Sequence, residues 1–358
     1  MCNTPLHRFL AALPKAEHHM HLEGSLEPEL LFELAAKNGI VLPTSVDPAF
    51  ASAESLRERY EDFQNLDDFL GYYYIGMSVL VDGSDFESLA YAYFTKAASQ
   101  NVRHAEVFFD PQAHETRGIA LSTMVTSFKK AQARAEADFG MTTQLIMCLV
   151  RHLPLSGAME TFTHAKDAGY FADGTLAAIG MDSSEVPFPP PMWTSLYNAA
   201  KETGVRRTVH AGEEGPPLYV TQALDLLDTQ RIDHGIRALT EGDDALVARL
   251  ASSKTLLTMC PLSNVKLNCI SSISSFPLRR LIDAGVMFSI NSDDPAYFGG
   301  YILENYCALH EAFDLSVREW EMIAKGAVMG SWCAIERKEE LISEIEDIAN
   351  VWSNTFEE

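Results

Sequence analysis

The feature that most constrains the fold is a regular succession of short apolar runs, separated by stretches with helical periodicity. The runs are rich in β-branched or aromatic residues, which is typical of strands. The eight candidate strands are 15–22, 102–109, 141–150, 176–182, 206–211, 231–235, 255–260 and 286–292. Alternation with helices predicts a parallel α/β sheet, and eight strands predict that it closes into a (β/α)8 TIM barrel.

The stretches between these runs support the alternation. Residues 85–101, 121–140 and 216–229 have the pattern expected of helices. Ser316 and Glu319 stand three apart ahead of another apolar run, which predicts a capping box at a helix start. An open doubly wound sheet is the alternative, but the sequence contains no GxGxxG or GxxxxGK[ST] loop to favour it.

The segment from about residue 23 to residue 101 is too long for one crossover helix, so we expect extra helices inserted after the first strand. Its aromatic stretch FLGYYYIGM, at 69–77, either covers the mouth of the barrel or simply packs in the core. The chain has no internal repeat, low-complexity tract or Gly/Ser linker. We therefore predict a single domain over residues 1–358.

Charge and cysteine content narrow the possible partners and location. The formal net charge of −23 repels nucleic acids and acidic membranes, so the expected partner is a small, uncharged or weakly charged substrate. The sequence has no apolar run of ~18 residues and no apolar leader, which predicts a cytoplasmic protein and leaves nuclear entry and oligomeric state open. Scattered spacing without CxxC predicts reduced core thiols for all six cysteines. They are Cys2, Cys148, Cys260, Cys269, Cys307 and Cys333.

The first candidate strand ends in a pair of histidines with strand spacing. His19 and His21 lie two apart, so both side chains can point into the barrel, while His18 points to the surrounding helices. We expect His18 to be a packed or hydrogen-bonded histidine. An isolated His-x-His pair is weak support for a metal site, so other strand ends have to supply the remaining ligands.

Three later strand ends carry the other chemically distinctive residues. His210 ends the fifth run, with Glu213 one turn further on, and His234 ends the sixth. The eighth run delivers Asp293 and Asp294, adjacent acids that could equally form a solvated surface turn. In a barrel, the C-terminal strand ends meet at one face, which is where barrel enzymes have their active sites.

Four of these residues fit the ligand set of one metal ion. Three neutral imidazoles, from His19, His21 and His210, together with the Asp293 carboxylate suit Zn²⁺ and leave a coordination position for water. We therefore expect one zinc ion per chain.

The same residues carry a resemblance that extends along nearly the whole chain. The sequence resembles the adenosine/adenine deaminase family of the amidohydrolase superfamily, and within it the fungal and bacterial type of adenine deaminase. The matching segments are PKAEHHMHLEGSLEPE, NVRHAEVFFDPQ, IGMDSSEVPFPP, HAGEE, RIDHGI, CPLSNVKL and NSDDPAYFGGYILENY.

The resemblance implies a role for each position. The metal ligands fall on His19, His21, His210 and Asp293. The proton-shuttling glutamate falls on Glu213, the auxiliary catalytic histidine on His234, and the purine-contacting acid on Asp294. Ser183 and Ser184, at the end of the fourth strand, fall where the family contacts the purine, although the local pattern differs from the adenosine type.

One departure from the adenosine type concerns the substrate. Adenosine-type members have His-Leu-Asp-Gly after the metal histidines, with the aspartate facing the ribose, whereas this chain has Leu22-Glu23-Gly24. Our hypothesis is that the longer Glu23, with neighbouring bulk, is a substrate-binding residue that occupies ribose space and leaves room only for the base. A site built for ribose hydroxyls leaves polar groups unpaired with a free base, which can cost ~10⁴ to 10⁵-fold in discrimination.

The resemblance implies zinc-dependent hydrolysis of adenine to hypoxanthine and ammonia, in purine salvage. The nearest alternative is an adenosine or N6-substituted purine deaminase with the same site. A two-metal amidohydrolase is less favoured, because Asp182-Ser183-Ser184 has no lysine where binuclear relatives carry a carboxylated one. The HxE and PCxxC signature of cytidine-type deaminases is absent. A non-catalytic purine-binding barrel is the alternative from another class.

Overall fold

The computed structural model describes residues 6–356. Within them, short parallel strands form one five-stranded sheet in the order β1-β2-β3-β4-β5 and one four-stranded sheet in the order β6-β7-β8-β9. The strands are β1 (Lys15–Glu17), β2 (Val102–Phe109), β3 (Thr142–Val150), β4 (Ala178–Asp182), β5 (Arg206–Arg207), β6 (His210–Ala211), β7 (Arg231–His234), β8 (Leu256–Met259) and β9 (Phe288–Ile290).

Hydrogen bonds between the two sheets close them into a barrel. The predicted fifth strand, 206–211, is divided into β5 and β6: the Thr208 amide donates to Ile179 on β4, and Val209 accepts from Asp233 on β7. After β1, Met20 pairs in parallel with Asp293 and joins the last strand to the first. The predicted TIM barrel is therefore confirmed, with a first strand shorter than the expected 15–22.

Helices fill the connections between strands, as the periodicity predicts. The predicted capping box at Ser316 and Glu319 is confirmed, since each side chain accepts the other's backbone amide. The α-helices are α1 (His7–Ala12), α2 (Pro28–Asn38), α3 (Ala53–Tyr60), α4 (Leu66–Met77), α5 (Gly83–Ser99), α6 (Pro111–Glu115), α7 (Leu121–Phe139), α8 (Leu155–Asp167), α9 (Thr194–Thr203), α10 (Pro217–Leu226), α11 (Ile236–Thr240), α12 (Asp244–Ser253), α13 (Pro261–Lys266), α14 (Leu278–Asp283), α15 (Pro295–Phe298), α16 (Ile302–Phe313), α17 (Val317–Gly330) and α18 (Ile335–Phe356).

The segment between β1 and β2 forms α2 to α5, with short 3₁₀ turns at Glu23–Ser25 and Pro48–Ala51. Helix α4 begins at the Asn65 cap, whose side chain accepts the Asp68 amide. It carries the aromatic stretch over the barrel mouth, where Phe69 and Tyr73 line a cavity. Both side chains are also buried. Covering the mouth and packing in the core are therefore properties of the same helix.

Two further sequence expectations can be compared with the structure. Cys148, Cys260, Cys269 and Cys333 are free, as predicted. Cys307 is disulfide-bonded, so the expectation of a reduced thiol is wrong there. Cys2 lies outside the described residues. A cysteine pair without a recognisable spacing motif cannot be identified from the sequence. Among residues 6–356, no helix has the length and apolar content needed to span a membrane.

Candidate metal centre and active site

Four predicted ligand side chains meet at the C-terminal end of the barrel. The Nε2 atom of His19 lies 3.1 Å from Oδ1 of Asp293, and Nε2 of His21 lies 3.6 Å from the same oxygen. His210 contributes its Nε2 at 3.3 Å from Nε2 of His21. All four side chains are buried, and one ligand atom from each lies within 4.8 Å of every other.

The outer nitrogens of the three imidazoles each lie near a side-chain oxygen, and the one of His19 makes a hydrogen bond. Nδ1 of His19 lies 2.9 Å from Oγ1 of Thr258, which donates to Asp233. Nδ1 of His210 lies 3.5 Å from Oδ2 of the same Asp233, and Nδ1 of His21 lies 3.5 Å from Asp182. Such partners fix the ring orientation of metal-binding histidines. They leave the Nε2 atoms directed at a common point.

The donor set fits a zinc ion. Nε2 of His19 is buried and has no hydrogen-bond partner, although a buried polar atom normally has one. Three nitrogens and one carboxylate oxygen suit Zn²⁺. An overlapping group includes Cys260 with His19, His234 and Asp293. Burial raises the pKa of the Cys260 thiol well above its usual range, which disfavours the thiolate that metal binding requires.

Unusual backbone geometry aims several of these side chains. Asp293, His234 and Ser183 all have positive φ, at 63°, 61° and 70°, where each strand turns into its loop. Left-handed backbone is uncommon for residues other than glycine and often marks functional sites. Next to this turn, Gly24 leaves space for Asp294: a Cβ on Gly24 would lie 2.0 Å from Oδ1 of Asp294.

Glu213 and His234 lie beside the four predicted ligand side chains. Oε2 of Glu213 is 3.5 Å from Nε2 of His234, which in turn is 3.6 Å from Oδ2 of Asp293. Nδ2 of Asn264 donates to Nδ1 of His234 at 3.3 Å, so the ring proton of a neutral His234 lies on Nε2. Burial lowers the pKa of His234 well below its usual range, which keeps the imidazole neutral.

The carboxyl group of Glu213 is set up to carry a proton. Burial, then Asp293 and Glu185, raise its pKa well above the usual range. Its Oε1 has no hydrogen-bond partner. Glu185, which the sequence analysis did not single out, accepts the amides of Gly212, Glu213 and Gly215 at 2.8 to 3.1 Å. This carboxylate fixes the loop that presents Glu213.

The four predicted substrate-binding residues are placed differently. Asp294 and Ser183 line the cavity above the ligands. Ser183 also shares a 2.7 Å hydrogen bond with Nδ1 of His152. Ser184 lies outside the lining, and its hydroxyl donates to Asp67.

Glu23 does not line the cavity either. Its Oε1 accepts the amide of Asp110 at 3.1 Å and lies 2.9 Å from Nε2 of His114. The side chain therefore lies behind Asp110. These two partners turn it away from the position where we expected it to contact the substrate.

A cavity connects these groups. Its roof comes from α4 and its floor from the ligand cluster. Two lining acids, Asp110 and Asp182, were not assigned a binding role from sequence. Both stand at strand ends, after β2 and in the last position of β4, so the same positional signal could have identified them.

Known proteins share this sequence and fold over nearly the full chain. The family model described as adenosine deaminase matches residues 14–348. A protein named adenine deaminase from Schizosaccharomyces pombe is 54% identical, covering 97% of this chain and 94% of its own. One of the same name from Saccharomyces cerevisiae is 47% identical, with coverage of 97% and 99%. The crystal structure of adenine deaminase from Arthrobacter aurescens aligns with a TM-score of 0.88 and 42% identity, covering 94% of this chain and 99% of that one.

Proposed function

The chain belongs to the adenosine deaminase family, and from that membership we propose that it hydrolyses the 6-amino group of adenine to give hypoxanthine and ammonia. Full-length identity of about half to proteins named adenine deaminase supports this substrate. The observation that carries the chemistry is the convergence of three histidines and one aspartate beside a buried Glu213. The enzyme is thus a hydrolase acting on a carbon–nitrogen bond.

We assign one zinc ion per chain to His19, His21, His210 and Asp293. When bound, zinc supplies a water whose pKa falls from ~15.7 to about 7, so that hydroxide is available near neutral pH. Oδ2 of Asp293 and Nε2 of His234 lie side by side, 3.6 Å apart, so both can contact an attacking water that is held against C6 of the base. Asp293, as a carboxylate, is the group that accepts a proton from that water.

Glu213 acts as the acid at the ring. Its raised pKa favours the protonated carboxyl, which can donate a proton to N1 as C6 is attacked. This proton transfer removes the negative charge that would develop on the ring. General acid–base catalysis of this kind contributes ~10² to 10⁴-fold in rate. The carboxylate that remains can later accept a proton and pass it to the departing amine.

Asp294 orients the base. Burial and the adjacent Asp293 raise its pKa well above the usual range, which favours a protonated carboxyl that can donate to N7. Its Oδ1 has no hydrogen-bond partner within the protein. Binding N7 and N1 from two sides fixes the face of the purine that is turned to the ligand cluster. The roof of aromatic residues from α4 limits the entry of bulk water.

An ammonia-release assay on adenine, adenosine and N6-methyladenine, with metal analysis of the same sample, tests the proposal. We expect the highest kcat/KM on adenine and one equivalent of zinc per chain. A higher kcat/KM on adenosine or N6-methyladenine would transfer the assignment to that substrate. Ammonia from none of the three, with no bound metal, would favour a non-catalytic purine-binding barrel.

We further propose that residues 1–358 form a single domain. We also propose that the enzyme is cytoplasmic, with nuclear entry left open. They rest on the absence of a linker in the sequence and on the expectation that a purine salvage enzyme meets its substrate there. Microscopy of a tagged full-length chain would test the location directly.

A further inference from the structure

The cavity wall formed by the ends of β2 and β4 carries two carboxyl groups that the mechanism above does not use. Asp110 and Asp182 both line the cavity and are only 2% and 4% exposed. Oδ1 of Asp110 and both side-chain oxygens of Asp182 have no hydrogen-bond partner. A buried polar atom without a partner costs about 1 to 3 kcal/mol, and more when it is charged. Ligand atoms of Asp110, Asp182 and His21 lie within 4.8 Å of one another. Because Asp110 and Asp182 line the cavity, a ligand bound there can supply the missing partners.

The proposed orientation of adenine determines which ring edge meets this wall. In this orientation N1 faces Glu213, which follows β6, and N7 faces Asp294, which follows β9. C6 faces the ligand cluster at the floor of the cavity. The purine atoms on the opposite edge are N3 and N9. That edge faces the wall that follows β2 and β4, where Asp110 lies.

Free adenine has a distinctive pattern at that edge. N9 carries a hydrogen and N3 carries a lone pair, so a donor and an acceptor stand side by side. A protonated carboxyl group offers the complementary pair, one hydroxyl and one carbonyl oxygen. A nucleoside has carbon in place of the N9 hydrogen, so it lacks the donor.

We propose that the carboxyl group of Asp110 binds the N3–N9 edge of the free base and thereby selects adenine over N9-substituted purines. Oδ1, which lacks a partner, accepts the N9 hydrogen. Oδ2, which accepts from the Tyr73 hydroxyl at 3.2 Å, donates its own hydrogen to N3. Asp110 is therefore a specificity-determining residue, and this inference rests on the proposed adenine orientation.

The surroundings of Asp110 support a neutral, fixed carboxyl group. Burial, then the neighbouring acids Asp182 and Glu23, raise the pKa of Asp110 well above its usual range. Glu23 holds the Asp110 amide, and His114 holds Glu23. His114 is in turn 2.6 Å from Nη2 of Arg117. Glu23 therefore acts as a positioning residue for Asp110, which gives the Glu at this position a role without direct substrate contact.

The experiment compares adenine with 9-methyladenine and 3-deazaadenine in the wild-type enzyme and in two matched variants. In Asp110→Asn the carboxamide still presents one donor and one acceptor, whereas Asp110→Leu has similar size and presents neither. For the wild type we expect kcat/KM on 9-methyladenine to be at least about 10³-fold below that on adenine, because a buried acceptor is left unpaired. 3-Deazaadenine should lose a smaller factor, about 10-fold, for the N3 contact alone.

The variants separate recognition from general damage. Asp110→Leu should lower kcat/KM on adenine by about 10² or more and change 9-methyladenine little, so that the ratio between them collapses. Asp110→Asn should keep most of that ratio. Dissociation constants for hypoxanthine and 9-methylhypoxanthine should follow the same pattern without turnover. If the Leu variant does not fold, the wild-type analogue series and Asp110→Ala provide the same comparison.

Three results would overturn the inference. One is a wild-type enzyme that accepts adenine and 9-methyladenine equally. Another is a Leu variant that loses both by the same factor. The third is a second equivalent of metal in the wild type that Asp110→Leu abolishes, which would assign these oxygens to a cation. If the wild type released no ammonia from adenine, the proposed function would fail, but the inference about Asp110 would not fail with it. The ratio of the dissociation constants for adenine and 9-methyladenine would still test the role of Asp110.

Discussion

The two ends of strand β7 use buried charge in opposite ways. At its start, Arg231 donates to Glu106 at 2.6 Å, and the other oxygen of Glu106 lies 3.0 Å from Nε2 of His104. At its end, His234 lies beside Glu213, whose Oε1 is buried with no partner. Both regions are equally inaccessible. In barrel enzymes, the N-terminal end of the strands contributes stability and the C-terminal end contributes catalysis.

The difference also appears in the direction of the pKa shifts. Burial acts to raise the pKa of Glu106, but Arg231 and His104 outweigh it and hold the pKa well below its usual range. For Glu213, Arg151 acts to lower the pKa, but burial and the neighbouring acids outweigh it and raise the pKa. A paired carboxylate stays charged and structural, whereas an unpaired carboxyl keeps a proton that it can transfer.

Removing one metal ligand should cause the largest loss. His210→Gln replaces an Nε2 atom at the centre of the cluster, so we expect loss of most bound zinc. Ammonia release should fall by more than about 10⁴-fold, because the attacking water then returns toward its ordinary pKa. Metal analysis and steady-state kinetics on the same preparation measure both effects. His164→Gln, an exposed histidine on α8, is the matched control and should keep zinc and activity. Full turnover in a zinc-free His210→Gln enzyme would remove this ligand assignment.

Glu213→Gln should separate chemistry from metal binding. The glutamine keeps the shape of the side chain but cannot transfer a proton, so we expect kcat to fall by ~10² to 10⁴-fold. Zinc content and the dissociation constant for hypoxanthine should stay close to wild type. The free energy of unfolding should not fall, because no charge pair is broken. Glu214→Gln, which alters the neighbouring acid outside the cavity lining, is the control. A wild-type kcat in Glu213→Gln would contradict the acid role.

Arg231→Met should show the reverse behaviour at the other end of the strand. Breaking a buried ion pair from one side costs about 3 to 5 kcal/mol, because Glu106 is left charged without its partner. We therefore expect a large fall in the free energy of unfolding, measured by urea denaturation. The kcat per folded molecule should change by less than about 2-fold.

The double variant Arg231→Met with Glu106→Leu tests the cause. Removing both charges should recover much of the lost stability, as expected when the penalty comes from an unpaired buried charge. Equal destabilisation in the single and double variants would attribute the effect to packing. Lost packing has to be considered as a cause because the guanidinium of Arg231 lies 3.7 Å from the centre of the Trp332 ring.

The barrel and the inward direction of the strand-end side chains could be predicted from the sequence for one reason. Strand periodicity sets which side chains point inward, so His19 and His21 could be assigned to the interior without coordinates. His18, expected to be packed or hydrogen-bonded, is buried with Nε2 2.7 Å from Oγ of Ser331. These properties depend on local alternation and on the shared face of strand ends, both of which are visible in a sequence.

The sequence could not show which acids line the same wall of the cavity or which side chains point away from the cavity. Glu185 reaches the loop after β6 only because the chain folds back on it, and no spacing indicates that contact. Glu23 was expected to face the substrate, but its contacts with Asp110 and His114 direct it elsewhere. Such contacts are between residues far apart in the chain. They depend on rotamers and loop paths that periodicity does not determine.

Asp294→Ala should give the smallest of these effects and the most specific one. A single hydrogen bond to a buried ring nitrogen corresponds to about 0.5 to 1.5 kcal/mol, or up to about 3 when charge is involved. We therefore expect kcat/KM on adenine to fall between about 3-fold and 10²-fold. If the contact is to N7, 7-deazaadenine should already lack it in the wild type and should lose little further in the variant.

That comparison isolates the N7 contact from any damage to the neighbouring ligand. Asp294 adjoins Asp293, so a simple loss of activity could also come from a displaced metal ligand. Displacement would lower turnover of adenine and 7-deazaadenine by the same factor and would reduce zinc content. Loss of the N7 contact would lower adenine alone. Asp67→Asn, an acid outside the cavity lining that accepts from Ser184, should leave both substrates unchanged. Equal losses on both substrates with full zinc would show that Asp294 acts on something other than N7. A different edge of the purine would then have to face the acids that line the cavity.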